Sequence, residues 1–344
     1  MKCSEIAFRH KCLPLIAVVI PAYKVKKQVL SVIQRIDKCV SKIYVIDDCC
    51  PEQSGEYVKE NCSDNRVSVI THTENQGVGG AVMTGYSAAL ADNMDIVVKI
   101  DGDGQMDPGL LFDFIGPILS GDADYTKGNR FFNLEDLSQM PKIRLFGNAV
   151  LSFMNKLSSG YWHLFDPTNG YTAIHSEVLR HLSLEKISKR YFFESDMLFR
   201  LNTIRAVVCD VTMESKYGDE VSNLSIRHIW WEFLRKNVRN TASRIFYNYY
   251  LRDVSVASFE LPLGLGLLLF GVPFGLSKWF DSYAEHSVAS AGTVMLASLP
   301  VILGVQFLLA FLNYDIRSTP VKTFHLTKLK NKHIVELMGA NDEK

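Results

Sequence analysis

The sequence predicts an α/β fold: a doubly wound, mostly parallel sheet, followed by an amphipathic interface helix and a two-helix transmembrane hairpin. Three observations predict it. From Ile16 to about Met213, short β-branched runs alternate with longer helical stretches, as in a sheet covered on both faces. The apolar run from Ile96 to Ile100 delivers two carboxylates, Asp101 and Asp103, to a strand end. There, in open α/β sheets, ligands bind. After Leu224 the composition changes, first to a basic aromatic stretch and then to two uncharged apolar segments. The expected boundaries are 1–223 for the sheet domain, 224–256 for the interfacial region, 257–316 for the hairpin and 317–344 for a basic cytoplasmic tail.

Composition excludes some classes. A chain of 344 residues with 47% apolar content can bury a large core. Lys plus Arg balances Asp plus Glu at 37 each, so bulk charge offers no nucleic-acid partner. Seven cysteines, an odd number without metal-ligand spacing, read as reduced cytosolic thiols. Lys2, Arg9, His10 and Lys11 before the run Leu13 to Ala22 imitate a secretory signal. Pro14 and Pro21 fall inside that run and no small-residue cleavage site follows, so Ile16 to Ile20 reads as the first strand.

The remaining strands are expected at Ile43 to Ile46, Val67 to Ile70, Ile96 to Ile100, Asp124 to Lys127 and Ala206 to Val211. Helices are expected near Gln28 to Cys39, Gly80 to Ala91, Pro108 to Leu119 and Ile143 to Leu157. From Ile226 to Arg252, apolar and aromatic residues interleave with Arg227, Arg235, Lys236, Arg239 and Arg244. That pattern suits a helix lying at a membrane surface, and equally a helix packed on the sheet domain. Leu261 to Ser277 and Ser287 to Tyr314 carry no charge. Each approaches the roughly 20 residues that cross a bilayer core. The first is short and interrupted by Pro262 and Pro273, which predicts a tilt or kink. Arg244, Arg252, Arg317, Lys322, Lys328 and Lys330 flank the pair, so the positive-inside bias puts the sheet domain and both termini in the cytoplasm of a cell-membrane protein. Gly264 and Gly266 offer close helix approach for a homo-oligomer formed through the spans.

The acid pair carries the chemistry. Asp101 and Asp103, with Gly102 and Gly104 between and after them, can converge on one hard cation, and Gln105 adds a neutral oxygen. Mg²⁺ or Mn²⁺ prefers such oxygens and shares its remaining positions with water and phosphates. A solvated turn uses the same residues. A calcium loop fails, because Met106 stands where its glycine is required and Phe112 where its bidentate acid is required. Val18 to Tyr23 ends the first strand in a proline-bounded loop that sets Tyr23 at the sheet edge, where it can stack on a base. Asp47 and Asp48 end the next strand, either accepting from a nucleobase N–H or capping the following helix. The glycines of Asn75 to Ala81 open a helix and free backbone N–H groups for phosphate or allow close packing. Neither standard nucleotide loop fits, since Val82 and Tyr86 stand where a glycine and a lysine are needed.

In order and spacing these segments (VVIPAY, IDD, NQGVGGA, IDGDGQMDP, then KGNRF, DPTNGY and YFFESDML) resemble the family 2 glycosyltransferases of the GT-A fold. Within them the chain is similar to the polyprenyl-phosphate glycosyltransferases of the dolichyl-phosphate mannose synthase type. The resemblance runs from Val18 to about Leu224 and extends to the amphipathic helix and two spans of the membrane-anchored branch. It implies that Pro21, Tyr23 and Asp48 hold the nucleoside, that Asp101, Asp103 and Gln105 bind the metal, and that Arg130 faces the phosphates, with Lys127 a second candidate. Arg suits that task because its planar fork pairs phosphate oxygens. Two departures fall in the implied nucleoside pocket: Lys24 and Val25 replace the usual Asn-Glu, and Cys49 and Cys50 replace the usual Gly-Ser.

The expected activity is inverting transfer of one hexose from a UDP- or GDP-sugar to polyprenyl phosphate at the cytoplasmic face. A second reading transfers to a hydroxyl of a glycan or lipid and needs a base, for which Asp196 or Glu194 would serve. The missing Gln-x-x-Arg-Trp motif argues against a processive synthase. A third reading is a non-catalytic sugar-nucleotide-binding module, which leaves the combination of Asp101, Asp103, Gln105 and Arg130 unexplained.

Overall fold

The computed structural model describes residues 14–130, 142–166, 168–213 and 226–330. The basic residues before Pro14, the expected boundary at 223/224 and the tail beyond residue 330 lie outside the described residues. Seven strands form one sheet in the order β3-β2-β1-β4-β6-β5-β7. Strands β1 (Ile16–Ala22), β2 (Lys42–Asp47), β3 (Val67–Thr71) and β4 (Ile96–Lys99) are joined by parallel pairing, with Val18 opposite both Ile43 and Val98. Strands β5 (Tyr125–Asn129) and β7 (Val208–Thr212) are parallel to each other, and β6 (Thr172–His175) runs antiparallel to both β4 and β5. Six strands therefore point their carboxyl ends at one edge, and Asp47, Asp101 and Arg130 all fall on that edge.

The sequence reading missed β6. Four residues, Thr-Ala-Ile-His, give too short a run to show a period, yet they fill the gap between β4 and β5 and make the sheet mixed. The other six strands sit within two residues of expectation. Period-two alternation sends successive β1 side chains to opposite faces. Val18 and Ile20 enter the core shared with Val32, Ile33 and Phe114, whereas Ala17 and Val19 enter the one shared with Val82, Tyr86 and Met197. Both faces are covered, which is why β1 reads as a continuous apolar run.

The helices that cover the sheet are α1 (Val29–Arg35), α2 (Ser54–Asn61), α3 (Val78–Ala91), α4 (Leu111–Ser120), α5 (Lys142–Ser159), α6 (Ser176–Arg180) and α7 (Phe193–Thr203). The helix expected from Gln28 to Cys39 stops at Arg35, because the Asp37 carboxylate accepts from Cys39 N at 2.8 Å and the Asp37 carbonyl from Val40 N at 3.2 Å, closing a turn instead. Against β1, α3 packs so closely at Gly85 that any Cβ there would strike Val19.

By contacts the chain divides into two compact units, residues up to Thr241 together with those from Pro320, and Ala242–Thr319. The return segment belongs to the sheet unit. Phe324 N and His325 N each donate to the buried Asp124 carboxylate at 2.8 Å, and residues 324–330 are helical. Helix α8 (Ile226–Phe246) continues as a π-helical turn, Tyr247–Arg252. Its sheet-unit part packs on that domain: Asn240 donates to Asp196 at 3.1 Å and Phe233 meets the Phe192 ring edge-on at 5.2 Å. Trp231 and Val238 remain exposed, at 72% and 60%.

In the second unit, α9 (Val256–Glu285) and α10 (Ala291–Arg317) are both long and apolar enough to cross a membrane, with mean hydropathies of 1.7 and 2.3. Only 11% and 17% of those windows are buried, which is not the pattern of a soluble core helix. The first span is longer than expected: α9 is one unbroken helix that contains Pro262 and Pro273 and runs past the uncharged stretch ending at Ser277 to take in Lys278, Asp281 and Glu285. Gly264 serves the hairpin itself, since a Cβ there would lie 3.0 Å from the Gly304 carbonyl oxygen, whereas Gly266 faces open space.

Candidate active site

The carboxyl ends of β1, β2 and β4 open into a cleft of about 640 Å³. Pro21, Tyr23 and Asp48 line one side, Asp101 and Asp103 the other, with Asn75, Gly77, Lys99, Arg190, Tyr191 and Glu194 completing the wall. Pro21, Tyr23, Asp48, Asp101, Asp103 and Glu194, all singled out from the sequence, thus share one cavity.

Each strand end does a separate task. After β1, Lys24 turns the chain with φ +58° and donates its N–H to the Cys50 Sγ at 3.0 Å, leaving Tyr23 45% exposed. After β2, the two acids divide the possibilities open in the sequence. Asp47 structures the turn into α2, accepting from Cys50 N at 2.7 Å and Gly55 N at 2.5 Å. Asp48 holds the glycine loop: its Oδ1 accepts from Gln76 N at 2.8 Å and its Oδ2 from Gly77 N at 2.7 Å. His72 Nδ1 lies 2.8 Å from Asp48 Oδ1, and its Nε2 lies 2.9 Å from Thr84 Oγ1. Gly77 has φ +86°, and a Cβ there would come within 2.7 Å of the Lys189 carbonyl oxygen, so only glycine suits.

After β4, the Asp103 carboxylate accepts from Gln105 N at 2.9 Å, and Asp101 pairs with Lys99 Nζ at 2.7 Å. Lys99 is 1% exposed, and Gly170 of the DPTNGY segment leaves room for it: a Cβ on Gly170 would strike the ammonium and lie 2.7 Å from Asp101 Oδ2. Asp101 and Asp103 present only hard anionic oxygens, the chemistry that suits Mg²⁺ or Mn²⁺. Among the described residues no three His, Cys, Asp or Glu side chains gather to enclose a cation. A metal held by this pair would take the rest of its shell from ligand and water, which fits a site of only two carboxylates.

Four expected residues do not line the cleft. Gln105 contributes its backbone N–H to Asp103, and its side chain is absent from the wall. Arg130 forks onto the buried Asp166, Nε at 2.8 Å and Nη2 at 3.3 Å, so its planar face is matched to a carboxylate instead of open to the cleft. Lys127, the second candidate, is wholly buried and donates to the Asn169 carbonyl. Asp196 is likewise absent from the cleft wall. Its carboxylate accepts from Ser188 N at 2.9 Å, Arg200 Nε at 3.2 Å and Asn240 Nδ2 at 3.1 Å, at 2% exposure. Two positions along a helix turn a side chain to the opposite face, so Glu194 enters the cleft and Asp196 anchors α7.

Electrostatics separate the groups further. Burial lifts the Glu194 carboxyl well above the usual carboxylate range, against the pull of the Lys99 and Lys127 ammoniums. Burial also acts to raise the Cys50 thiol, but hydrogen bonds from the Ser54 hydroxyl and from the backbone N–H groups of Lys24, Ser54 and Glu52 outweigh it and hold it below the usual range. The sequence reading missed Lys99 and Arg190. A signal existed for Lys99, because a charge interrupting a strand buried on both faces requires a partner.

Comparison with known proteins agrees with this fold. The family described as Glycosyl transferase family 2 matches residues 17–183. The chain is 30% identical over 219 residues to a UDP-N-acetylglucosamine–dolichyl-phosphate N-acetylglucosaminyltransferase of Methanococcus voltae, covering 60% of this chain and 87% of that one. It is 29% identical over 186 residues to an undecaprenyl-phosphate mannosyltransferase of Micrococcus luteus, covering 53% and 75%. Among solved structures, glucosyl-3-phosphoglycerate synthase of Mycobacterium tuberculosis superposes with TM-score 0.53 at 19% identity, covering 71% of this chain and 84% of that one, in a complex with UDP. The same enzyme with Mn²⁺, UDP-glucose and phosphoglyceric acid gives TM-score 0.53 over the same shares. The sheet is that of the GT-A fold, and the chain belongs to glycosyl transferase family 2.

Proposed function

We propose that this enzyme moves a single hexose from a nucleotide diphosphate sugar to polyprenyl phosphate, with inversion, at the cytoplasmic face of a membrane. The observation that carries the reading is the convergence of Pro21, Tyr23 and Asp48 with Asp101 and Asp103 in one cleft, on a chain that also carries two span-length apolar helices. The relatives named for dolichyl- and undecaprenyl-phosphate support the acceptor class.

Tyr23 offers its exposed ring to the base, and the loop fixed by Asp48 presents backbone groups toward the ribose and diphosphate. Asp101 and Asp103 would hold Mg²⁺ or Mn²⁺, which supplies charge stabilisation for the departing diphosphate. Arg190, on the cleft wall, adds a fork suited to phosphate oxygens. The acceptor phosphate, with a second pKa of about 6, is already largely ionised at neutral pH. Its oxygen attacks the anomeric carbon in line while the bond to the diphosphate breaks and takes the electron pair, so placement outweighs base catalysis.

The cleft-facing Glu194 favours a second reading, a hydroxyl acceptor with Glu194 as base. A carboxyl raised toward neutrality is suited to that role. One variant separates the readings and a second tests both. Transfer to polyprenyl phosphate by Glu194→Gln within about tenfold of wild type supports the phosphate acceptor. Loss of about a hundredfold or more supports the base. Unchanged donor turnover in Asp103→Ala would count against both.

A further inference from the structure

Lys99 is the one buried ammonium of the cleft wall among the described residues, and its surroundings define what it does. It projects from β4 two residues before Asp101, is 1% exposed, and reaches Asp101 Oδ1 at 2.7 Å while standing 5.6 Å from the Phe193 ring centroid. A buried cation requires a counter-charge, and the ion-pair partner it has in the structure is Asp101, whose own side chain remains 28% exposed to the cleft. Glu194 lies within its field and is lifted above the carboxylate range by burial, but the carboxylate in direct contact with the ammonium is that of Asp101. The carboxylate assigned to the metal is thus already engaged from below by a fixed positive group.

We propose that Lys99 is the resident counter-ion of Asp101 and competes with the divalent cation for that carboxylate, so that the acid pair holds metal tightly only when a nucleotide diphosphate arrives with it. The inference rests on the reading of Asp101 and Asp103 as the metal pair. Two acids minus one adjacent ammonium leave a net charge of about one unit for a divalent ion, and at such short range each charge matters. The diphosphate brings the missing negative charge and further oxygens, so cation and donor bind cooperatively. A site of this kind does not fill with metal between turnovers.

The test is Mn²⁺ binding to the full-length protein in detergent, read from the free-ion paramagnetic resonance signal with and without UDP or GDP. Lys99→Met keeps the side-chain volume and removes the charge. It is expected to tighten Mn²⁺ binding without nucleotide by about tenfold and to shrink the nucleotide enhancement correspondingly. Lys127→Met, which removes a buried ammonium engaged with the Asn169 carbonyl, is expected to change it by less than about threefold. Asp101→Asn is expected to release the ion in either background. If Lys99→Met leaves the affinity unchanged or weaker while Asp101→Asn still releases Mn²⁺, the competition is wrong and the metal reading stands. Equal tightening by Lys127→Met would reduce Lys99 to general charge and also overturn the inference. Retention of Mn²⁺ by Asp101→Asn would remove the metal reading itself. Lys99→Gln carries the same expectations should Lys99→Met unfold, as judged by thermal melting.

Discussion

The backbone N–H of Lys24 donates to the Cys50 Sγ at 3.0 Å, so the two departures noted in the sequence, at the ends of β1 and β2, hold each other. Lys24 sits in the left-handed region, where a side chain bearing a Cβ is strained, and the sulfur offsets that strain with an acceptor. The Lys24 ammonium then lies 5.5 Å from the Tyr23 ring centroid, stiffening the ring proposed to stack on the base.

Cys50→Ala removes the acceptor and frees the Tyr23–Lys24 turn. Donor KM is expected to rise about three- to tenfold with kcat within about twofold, the signature of lost ground-state binding. Cys50→Ser retains an acceptor and stays near wild type. Initial rates against donor concentration decide it, and an unchanged KM for Cys50→Ala would show that the contact leaves the pocket indifferent.

Asp48→Asn puts an amide against the N–H groups of Gln76 and Gly77, where at least one donor then faces a donor. Losing charge-assisted bonds at a site 2% exposed costs about 2–3 kcal/mol. We expect weaker nucleotide binding by calorimetry together with a lower melting temperature, because the same carboxylate shapes the loop and lines the cleft.

In the second unit, Arg244 clasps Asp315 through two bonds of 2.7 and 2.9 Å, at 2% and 1% exposure, and Tyr249 donates to the same carboxylate at 2.5 Å. Arg244→Met strands a buried carboxylate and is expected to destabilise the unit by about 3–5 kcal/mol. Adding Asp315→Leu should recover most of the loss, since a buried pair replaced by apolar groups is often neutral. Thermal unfolding in detergent of the two variants distinguishes a clasp from a dispensable ion pair.

His175 stacks on His325 at 4.4 Å, and burial first, then the His325 ring, push its pKa from 6.5 down to about 4. The unfolded chain therefore binds a proton that the folded chain refuses. The resulting stability is fully present above pH 6.5 and is lost as pH falls toward 4, by at most about 3 kcal/mol. Melting temperature is expected to drop through that window in wild type and to drop less in His175→Phe.

What was legible in the sequence was whatever repeats along the chain or sits at a strand end. The β-branched runs of β1, β2 and β4 announced themselves by their apolar content, and Pro21, Tyr23, Asp48, Asp101 and Asp103 stood out as the residues at or just past their ends. The uncharged stretches gave α9 and α10 by length alone. Strand β6 did not show, because four residues carry no period and its place between β4 and β5 comes from non-local pairing. The contacts of Arg130 and Asp196 did not show for a related reason: Asp166 and Arg200, partners found only by folding or by attention to i, i+4 spacing, engage them.

The most direct test is acceptor choice by the wild-type protein. Purified full-length enzyme is given a panel of UDP- and GDP-sugars with Mn²⁺ and either a short polyprenyl phosphate or the matching polyprenol, and glycosylated lipid is measured by mass spectrometry. The expected result is a glycosyl phosphate ester with one donor or a small set of them, and no product on the polyprenol. Product on the free alcohol but not on the phosphate would contradict the proposed acceptor and return Glu194 to the role of base.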